Sequence, residues 1–368
     1  MTRLRIVHTE SSCGWGGQEL RIIVESEGML ARGHAVCVVA PPESRIIAET
    51  RRRGIPARCA PIARKGLRGL WALRRIFGER GVDVVNSHSS TDSWLSALAL
   101  RTLSGAPSLV RTRHVSAAIP GHALNRWLYG NATAHVVTTG ERLREQVMRE
   151  TGLDATRVSS VPTGINLGHF VPGERLAARA RLELPADAFV VGIVATLRSW
   201  KGHRYLVDAV ASMPGVVLVM VGDGPGADNL RAQVKGRGIE SRVRMPGNQD
   251  DVVPWLQAFD VFALPSYANE GVPQAIMQAM ACGIPVIATD IGSIGEVVQD
   301  GRTGLIVPPQ DADMLRRAIE RVADDGALRQ RLTGNALALA RERFSDARML
   351  DEMERIFREA VAARPRRC

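Results

Sequence analysis

The feature that most constrains this chain is a rhythm. Short runs that are apolar on both faces alternate with helical stretches from one end to the other. In the first half the runs fall at 4–9 (LRIVHT), 36–40 (VCVVA), 82–88 (VDVVNSH), 108–114 (SLVRTRH), 135–139 (HVVTT) and 158–163 (VSSVPT). A strand apolar on both faces must be covered by helices on both, and helical spacing fills the gaps at 17–31, 67–80, 91–103 and 141–150. The Gly- and Pro-rich stretch 163–174 breaks the pattern, which then restarts. Runs at 190–196, 216–222, 242–247, 261–266, 285–289 and 304–308 predict a second set of strands. Helices are expected around 201–212, 226–237, 250–257 and 272–281, with three more between 311 and 363. Repeated βα units imply an α/β protein with two doubly wound parallel sheets, expected over residues 1–170 and 171–344.

The length of 368 residues suits two such domains. With 45% hydrophobic and 23% charged residues both halves can bury a core, and disorder is expected only over Arg364–Cys368. No apolar run approaches the ~18–20 residues of a membrane span. The opening MTRLRIVHTE lacks a small-residue cleavage site, so a cytoplasmic address is expected. The five cysteines, Cys13, Cys37, Cys59, Cys282 and Cys368, have no metal-site spacing. Cys37 and Cys282 read as core fillers, and no disulfide framework is expected.

The net charge of +10 is uneven: residues 1–175 hold 24 basic and 14 acidic side chains, the remainder 24 of each. Such an excess attracts an anionic partner, an anionic membrane surface being one option. Nucleic acid is not expected, because no helix-turn-helix, zinc finger or aromatic RNA-binding motif is present.

Ligands of open α/β sheets bind beyond the carboxyl ends of the strands. The residues there include Gly14–Gly17, His88, His114, Thr139, Arg198, Gly222–Gly224, Asn248, Ser266–Glu270 and Thr289–Ser293. This set is polar, glycine-rich and cationic, as a phosphate-bearing ligand requires. Gly16 and Gly17 precede a helix whose amino end favours an anion. Arg198 and Lys201, three apart at the start of another helix, can neutralise a diphosphate. In VGDGPG, Gly222, Asp223 and Gly224 either lie under a nucleotide or turn tightly, with Asp223 free to cap the next helix. Glu270 stands in a loop before Gly271, Val272 and Pro273, which lead into a helix carrying Gln278. A carboxylate there accepts hydrogen bonds from sugar hydroxyls, and the N–H groups of the helix start hold phosphate.

The glycine loop, R-x-x-K-G, V-G-D-G-P and P-S-x-x-x-E-G-x-P-x-x-x-x-Q-A-M-A-C-G-x-P-V together resemble glycosyltransferase family 4. The match is most specific from 190 to 310. The resemblance implies a retaining enzyme of the GT-B fold, two Rossmann-like domains with a cleft between them. The first domain would take the acceptor and the second the nucleotide-sugar donor, and the helix at about 345–363 would pack back on the first. Arg198 and Lys201 would bind the donor diphosphate, and Glu270 the hydroxyls of the transferred sugar. Gly16 and Gly17 would face the phosphate, and His114, ending RTRH, would approach the donor sugar. Asp223 and Gly247 would border the base. The family's second glutamate is replaced here by Gln278, which keeps an acceptor for a ribose hydroxyl but loses the charge.

CGWGGQEL, NSHSSTDSWL, RTRHVSA and HVVTTGERLR resemble bacterial members that build lipopolysaccharide core or O-antigen, with His88 expected to line the acceptor pocket. The partners implied are a nucleotide-diphosphate sugar and a glycan or lipid-linked acceptor. No cofactor is expected, and no metal. Asp311 and Asp313 have a metal-like spacing but start a helix, where carboxylates cap. Segment 66–80 reads either as a core-facing amphipathic helix or as an interfacial one, compatible with contact at the cytoplasmic face of an inner membrane. The rival functions are a nucleotide-sugar epimerase of the same fold and a non-catalytic nucleotide-binding module.

Overall fold

A computed structural model describes residues 2–363; the expected disorder of Arg364–Cys368, and Cys368 itself, lie outside the described residues. The chain divides into two compact units. One runs to Gly164 and resumes at Asp346, and the other is Ile165–Ser345. Residues 165–170, expected with the first unit, belong to the second because Ile165, Leu167 and Phe170 pack into its core. Ile165 also bridges Ser345, pairing the second unit's first and last residues.

The first unit is a parallel sheet of seven strands: β1 (Arg5–Thr9), β2 (Ala35–Ala40), β3 (Ala57–Cys59), β4 (Val84–Ser87), β5 (Ser108–Arg113), β6 (His135–Thr138) and β7 (Val158–Ser160), in the order β3-β2-β1-β4-β5-β6-β7. The order reverses between β1 and β4, the switch point where loops splay apart and a ligand can enter. The helix Asp346–Ala362 covers one face of this sheet. Its Met349, Met353, Ile356, Phe357 and Ala360 recur at helical spacing and pack on Ile6, Val84, Val110 and Val137. Each buried Met, Ile or Phe side chain here contributes roughly 1.5–3 kcal/mol. Gly28 lets the helix Gly17–Ala31 approach closely, since a Cβ there would fall 2.2 Å from Leu350 Cδ1.

The second unit holds six parallel strands: β8 (Phe189–Val194), β9 (Val216–Val221), β10 (Val243–Gly247), β11 (Val261–Leu264), β12 (Val286–Ala288) and β13 (Leu305–Ile306), in the order β10-β9-β8-β11-β12-β13. β9 is buried along its whole length, as the run VVLVMV requires of a central strand covered on two faces. Here the switch point lies between β8 and β11, so both units open at the carboxyl ends of a central strand pair.

Candidate active site

In the second unit the site grows from the loops after β8 and β11. After β8 the chain passes Arg198, makes the short turn Ser199–Lys201 and enters the helix His203–Ala211. Gly202 joins turn to helix at φ +79, and a Cβ there would sit 2.0 Å from the Pro265 carbonyl oxygen. Only glycine allows both the left-handed backbone and this approach. The loop after β11 is thereby pressed against the turn, and Tyr267 N–H donates to the Trp200 carbonyl at 2.8 Å. Asn269 takes φ +59, a conformation asparagine tolerates, and turns the chain into Glu270.

Lys201 Nζ donates to Glu270 Oε1 at 2.6 Å, and Ser266 Oγ donates to the same oxygen at 2.6 Å. Thr289 Oγ1 donates to the Ser266 carbonyl, tying this loop to the one after β12. Glu270 is 4% exposed, while the Lys201 side chain is 20% exposed. Arg198 is exposed, its guanidinium 5.1 Å from the Trp200 ring centroid. Gly271 and Val272 are buried, Pro273 is the N-cap of the helix Gln274–Ala281, and Gln278 is half-buried on that helix. Arg198, Lys201, Glu270 and the helix start after Pro273 thus belong to one set of interlocked loops.

The VGDGPG loop has a packing explanation. Cβ atoms at Gly222 and Gly224 would lie 2.1 Å from the Ala195 carbonyl oxygen and 2.8 Å from that of Leu197. Gly222 N–H donates to Gly247 O at 2.9 Å, joining the ends of β9 and β10. Asp223, a possible helix cap by sequence, instead accepts from Gly224 N–H at 2.7 Å within its own loop; the N-cap of the helix Ala227–Gly236 is Gly226.

In the first unit β1, β4 and β5 are neighbours, and their ends bring three histidines into a row. His8 Nδ1 lies 3.1 Å from His88 Nε2, and His88 Nδ1 lies 3.0 Å from His114 Nε2. His88, expected to line the acceptor pocket, is 4% exposed with both ring nitrogens engaged by neighbouring histidines; His114, half-buried beyond it, is the outer member. Burial, with Arg21 nearby, pushes His8 down to about 3. Burial also holds His88 and His114 well below the usual imidazole value, the neighbouring histidines and Arg21 adding to it at His88 and Arg21 at His114. The three rings are neutral at neutral pH.

The glycine loop after β1 is pinned by Glu10. Its carboxyl accepts from Ser12 N–H at 2.7 Å, from Gln18 Nε2 and from Ser89 Oγ. Burial, then Asp92 and Glu19, push it up to about 8. Gly16 is the N-cap of the helix that begins at Gly17. Asp92 accepts from Thr9 Oγ1 at 2.7 Å and from the N–H groups of His88 (3.0 Å) and Ser89 (2.9 Å), fixing β1 to the start of the helix Ser90–Arg101. Burial raises it to about 6. Glu10, Asp92, His8 and Glu25 were not singled out by sequence. The signal was present, since each is a polar residue inside or just past an apolar strand or on the core face of a helix.

Asp311, half of the metal-like pair, caps the helix Ala312–Asp324 by accepting from Met314 N–H at 2.8 Å. Cys282 is buried, Cys37 half-buried, and Cys13 and Cys59 exposed, all four as free thiols. Among the described residues no helix is long and apolar enough to cross a membrane.

Two doubly wound parallel sheets, each with a polar, charged site at its switch point, define a double Rossmann-like protein. Residues 15–169 match the family described as Glycosyltransferase Family 4, and residues 174–338 match Glycosyl transferases group 1. This chain belongs to those glycosyltransferase families. It is 41% identical over 154 residues to the lipopolysaccharide core biosynthesis glycosyltransferase LpsE of Rhizobium meliloti, covering 42% of this chain and 45% of that protein. It is 30% identical over 313 residues to a D-inositol 3-phosphate glycosyltransferase of Streptomyces bingchenggensis, covering 76% and 66%. The chain therefore spans less than two thirds of the length of either relative. Among solved structures, a glycosyltransferase of Rickettsia africae matches with TM-score 0.86 at 19% identity, covering 99% of this chain and all of that one. Anabaena Alr3699/HepE, solved with UDP and glucose, matches with TM-score 0.84 at 22% identity, covering 97% of this chain and all of that one. These likenesses establish the GT-B fold.

Proposed function

We propose that this chain is a retaining glycosyltransferase that moves a sugar from a nucleotide-diphosphate donor to a hydroxyl of a glycan or lipid-linked acceptor. The observation that carries the reading is the bond between Lys201 and Glu270, a cation and a buried carboxylate held together at one strand switch point. As the glycosidic bond to the diphosphate breaks, the sugar gains oxocarbenium character and negative charge grows on the leaving phosphate. In this reading Lys201, Arg198 and the N–H groups after Pro273 stabilise that charge. Glu270 accepts hydrogen bonds from sugar hydroxyls once a phosphate engages Lys201. Two cations in place make a metal unnecessary for neutralisation, so no cofactor is proposed.

Retention through a covalent intermediate needs an accessible carboxylate nucleophile. At the first unit's switch point Glu10, Asp92 and Glu25 are all fully buried and hydrogen-bonded. Attack on the same face within an ion pair fits better. An inverted anomeric centre in the isolated product contradicts this mechanism.

The second unit is read as the donor domain and the first as the acceptor domain, with His114 at its reacting end and Gly16–Gly17 toward phosphate. UDP and glucose in a fold neighbour, and the lipopolysaccharide core role named for the Rhizobium relative, support a UDP-sugar donor and a cell-surface acceptor. Both domain matches are to glycosyltransferases, which disfavours an epimerase or a non-catalytic module. The helix Leu67–Phe77 buries Leu73, Ile76 and Phe77 but leaves Leu67 74% and Trp71 61% exposed beside Arg64, Lys65, Arg68 and Arg75. That exposed face supports peripheral contact with an anionic membrane. Incubating the protein with nucleotide sugars and a lipid-linked saccharide tests the function: a product heavier by one sugar is expected, and donor loss without an acceptor product contradicts it.

A further inference from the structure

The first unit contains a row of buried ionisable groups that the chemistry above does not use. It begins at Glu25 on the helix Gly17–Ala31, whose Oε1 lies 3.8 Å from His8 Nε2. It continues through His8 and His88 to His114, with ring centroids 5.3 Å apart at each step. Glu25 and His8 are fully buried. His114 Nδ1, the far end, makes no hydrogen bond among the described residues.

Two neutral imidazoles whose nitrogens meet at hydrogen-bond distance must present one N–H and one lone pair. With both contacts made, the tautomer of one ring dictates the other two. Only two arrangements exist: all three rings protonated on Nε2, or all three on Nδ1. The group at the buried end selects between them. Protonation on Nδ1 would turn the His8 Nε2 lone pair onto the Glu25 carboxylate, while protonation on Nε2 turns an N–H towards it.

Burial pushes Glu25 up to about 6 while Arg21 and Asn86 oppose it, so at neutral pH the carboxylate is an acceptor. Arg21 Nε lies 3.6 Å from Glu25 Oε2, and Asn86 Nδ2 donates to Glu25 Oε1 at 3.2 Å. The Asn86 amide is oriented in turn by Thr112 Oγ1, which donates to Asn86 Oδ1 at 2.9 Å. Arg21 is held by donating to the Val161 carbonyl at 2.7 Å. The ion pair with Arg21 and the amide donor of Asn86 thus fix one carboxylate, whose influence is passed along three rings to the strand end.

We propose that Glu25, acting through His8 and His88, holds His114 as its Nε2–H tautomer, so that His114 Nδ1 accepts a hydrogen bond from a hydroxyl of the sugar substrate. Glu25, His8 and His88 are positioning residues and touch no substrate. The hydroxyl partner rests on the transferase reading; the tautomer does not.

Long-range nitrogen–proton NMR of the full chain with 15N-labelled histidine reads the tautomers directly, assigned with His114→Gln and His8→Gln. His8, His88 and His114 protonated on Nε2 at neutral pH is the expected result. His114 protonated on Nδ1 overturns the proposal, whether or not any transfer is detected. The kinetic arm compares two variants. His8→Asn keeps an acceptor towards His88 and retains most of kcat, whereas His8→Leu removes it and lowers kcat on the order of 10-fold, as loss of an orienting partner typically does. Donor affinity changes less than kcat in both, because the cations assigned to the diphosphate, Arg198 and Lys201, are untouched. Equal kcat in His8→Leu and His8→Asn overturns the positioning role, and if His8→Leu does not fold the NMR result on the native chain still decides.

Discussion

Lys201 and Glu270 stand 69 residues apart in the chain and 2.6 Å apart in the fold, Nζ donating to Oε1. They meet because β8 and β11 are adjacent and the loops leaving them interlock through Gly202 and Pro265. Lys201→Ala leaves the Glu270 carboxylate with Ser266 as its one side-chain partner among the described residues, and the leaving phosphate with one cation fewer. We expect kcat/KM to fall by about 10²–10³, the scale of losing one donor to a developing anion. Glu270→Gln, which keeps an acceptor oxygen, should fall less than Glu270→Ala. Steady-state kinetics on the three variants checks the order; an unaffected Lys201→Ala removes that residue from the mechanism.

Gly202→Ala tests the interlock itself. The new methyl would need to occupy space 2.0 Å from a backbone oxygen at a left-handed φ. A cost of roughly 1–3 kcal/mol in stability is expected from backbone strain, with weaker donor binding because Lys201 is the preceding residue. Thermal unfolding alongside nucleotide-diphosphate titration measures both, and native values for both would show that the loops tolerate separation.

His203, 2% exposed, has no hydrogen-bond partner at either ring nitrogen among the described residues. Burial, then Lys201, lowers it to about 3 from 6.5. Because the folded value is depressed, the unfolded chain takes up a proton below pH 6.5 that the folded chain refuses, and stability is lost as pH falls towards 3. His203→Leu removes this contribution. Between pH 7.5 and 5 the variant should lose about 2 kcal/mol less than the native protein. Urea unfolding at the two pH values tests it, and parallel losses would mean His203 is protonated in the fold.

The exposed face of the helix Leu67–Phe77 gives a salt-dependent prediction. Each basic residue near an anionic surface contributes about 1 kcal/mol, so Arg64→Ala with Arg68→Ala should weaken binding to phosphatidylglycerol vesicles by about 30-fold. Leu67→Ser with Trp71→Ser should weaken it at any salt concentration. Co-sedimentation measures both. Native protein that stays in the supernatant at low salt contradicts the membrane reading.

The fold was legible because burial on two faces writes itself into β-rich apolar runs. The helix expected at 17–31 is Gly17–Ala31, and LRIVHT, VCVVA and VVLVMVG mark β1, β2 and β9 within one or two residues. β3 escaped because ARC, at the edge of its sheet, is only three residues long and mostly exposed. The helical stretch 123–132 escaped because its five-residue α-turn, Ala123–Trp127, has no buried residue to give it a period. At the site, Arg198, Lys201 and Glu270 could be found from motif spacing, since each lies where a strand ends. The Glu25–His8–His88–His114 row could not. Its members come from one helix and three strand regions, and only the sheet order β1-β4-β5 places them side by side.

The most direct test is a donor screen. The purified chain is offered a panel of nucleotide sugars with a saccharide acceptor, and nucleoside diphosphate release and donor binding are followed in the same samples, with Lys201→Ala beside the native protein. We expect one donor to bind and be turned over by the native chain, with release collapsing in the variant. No binding and no release for any nucleotide sugar would contradict the transferase assignment.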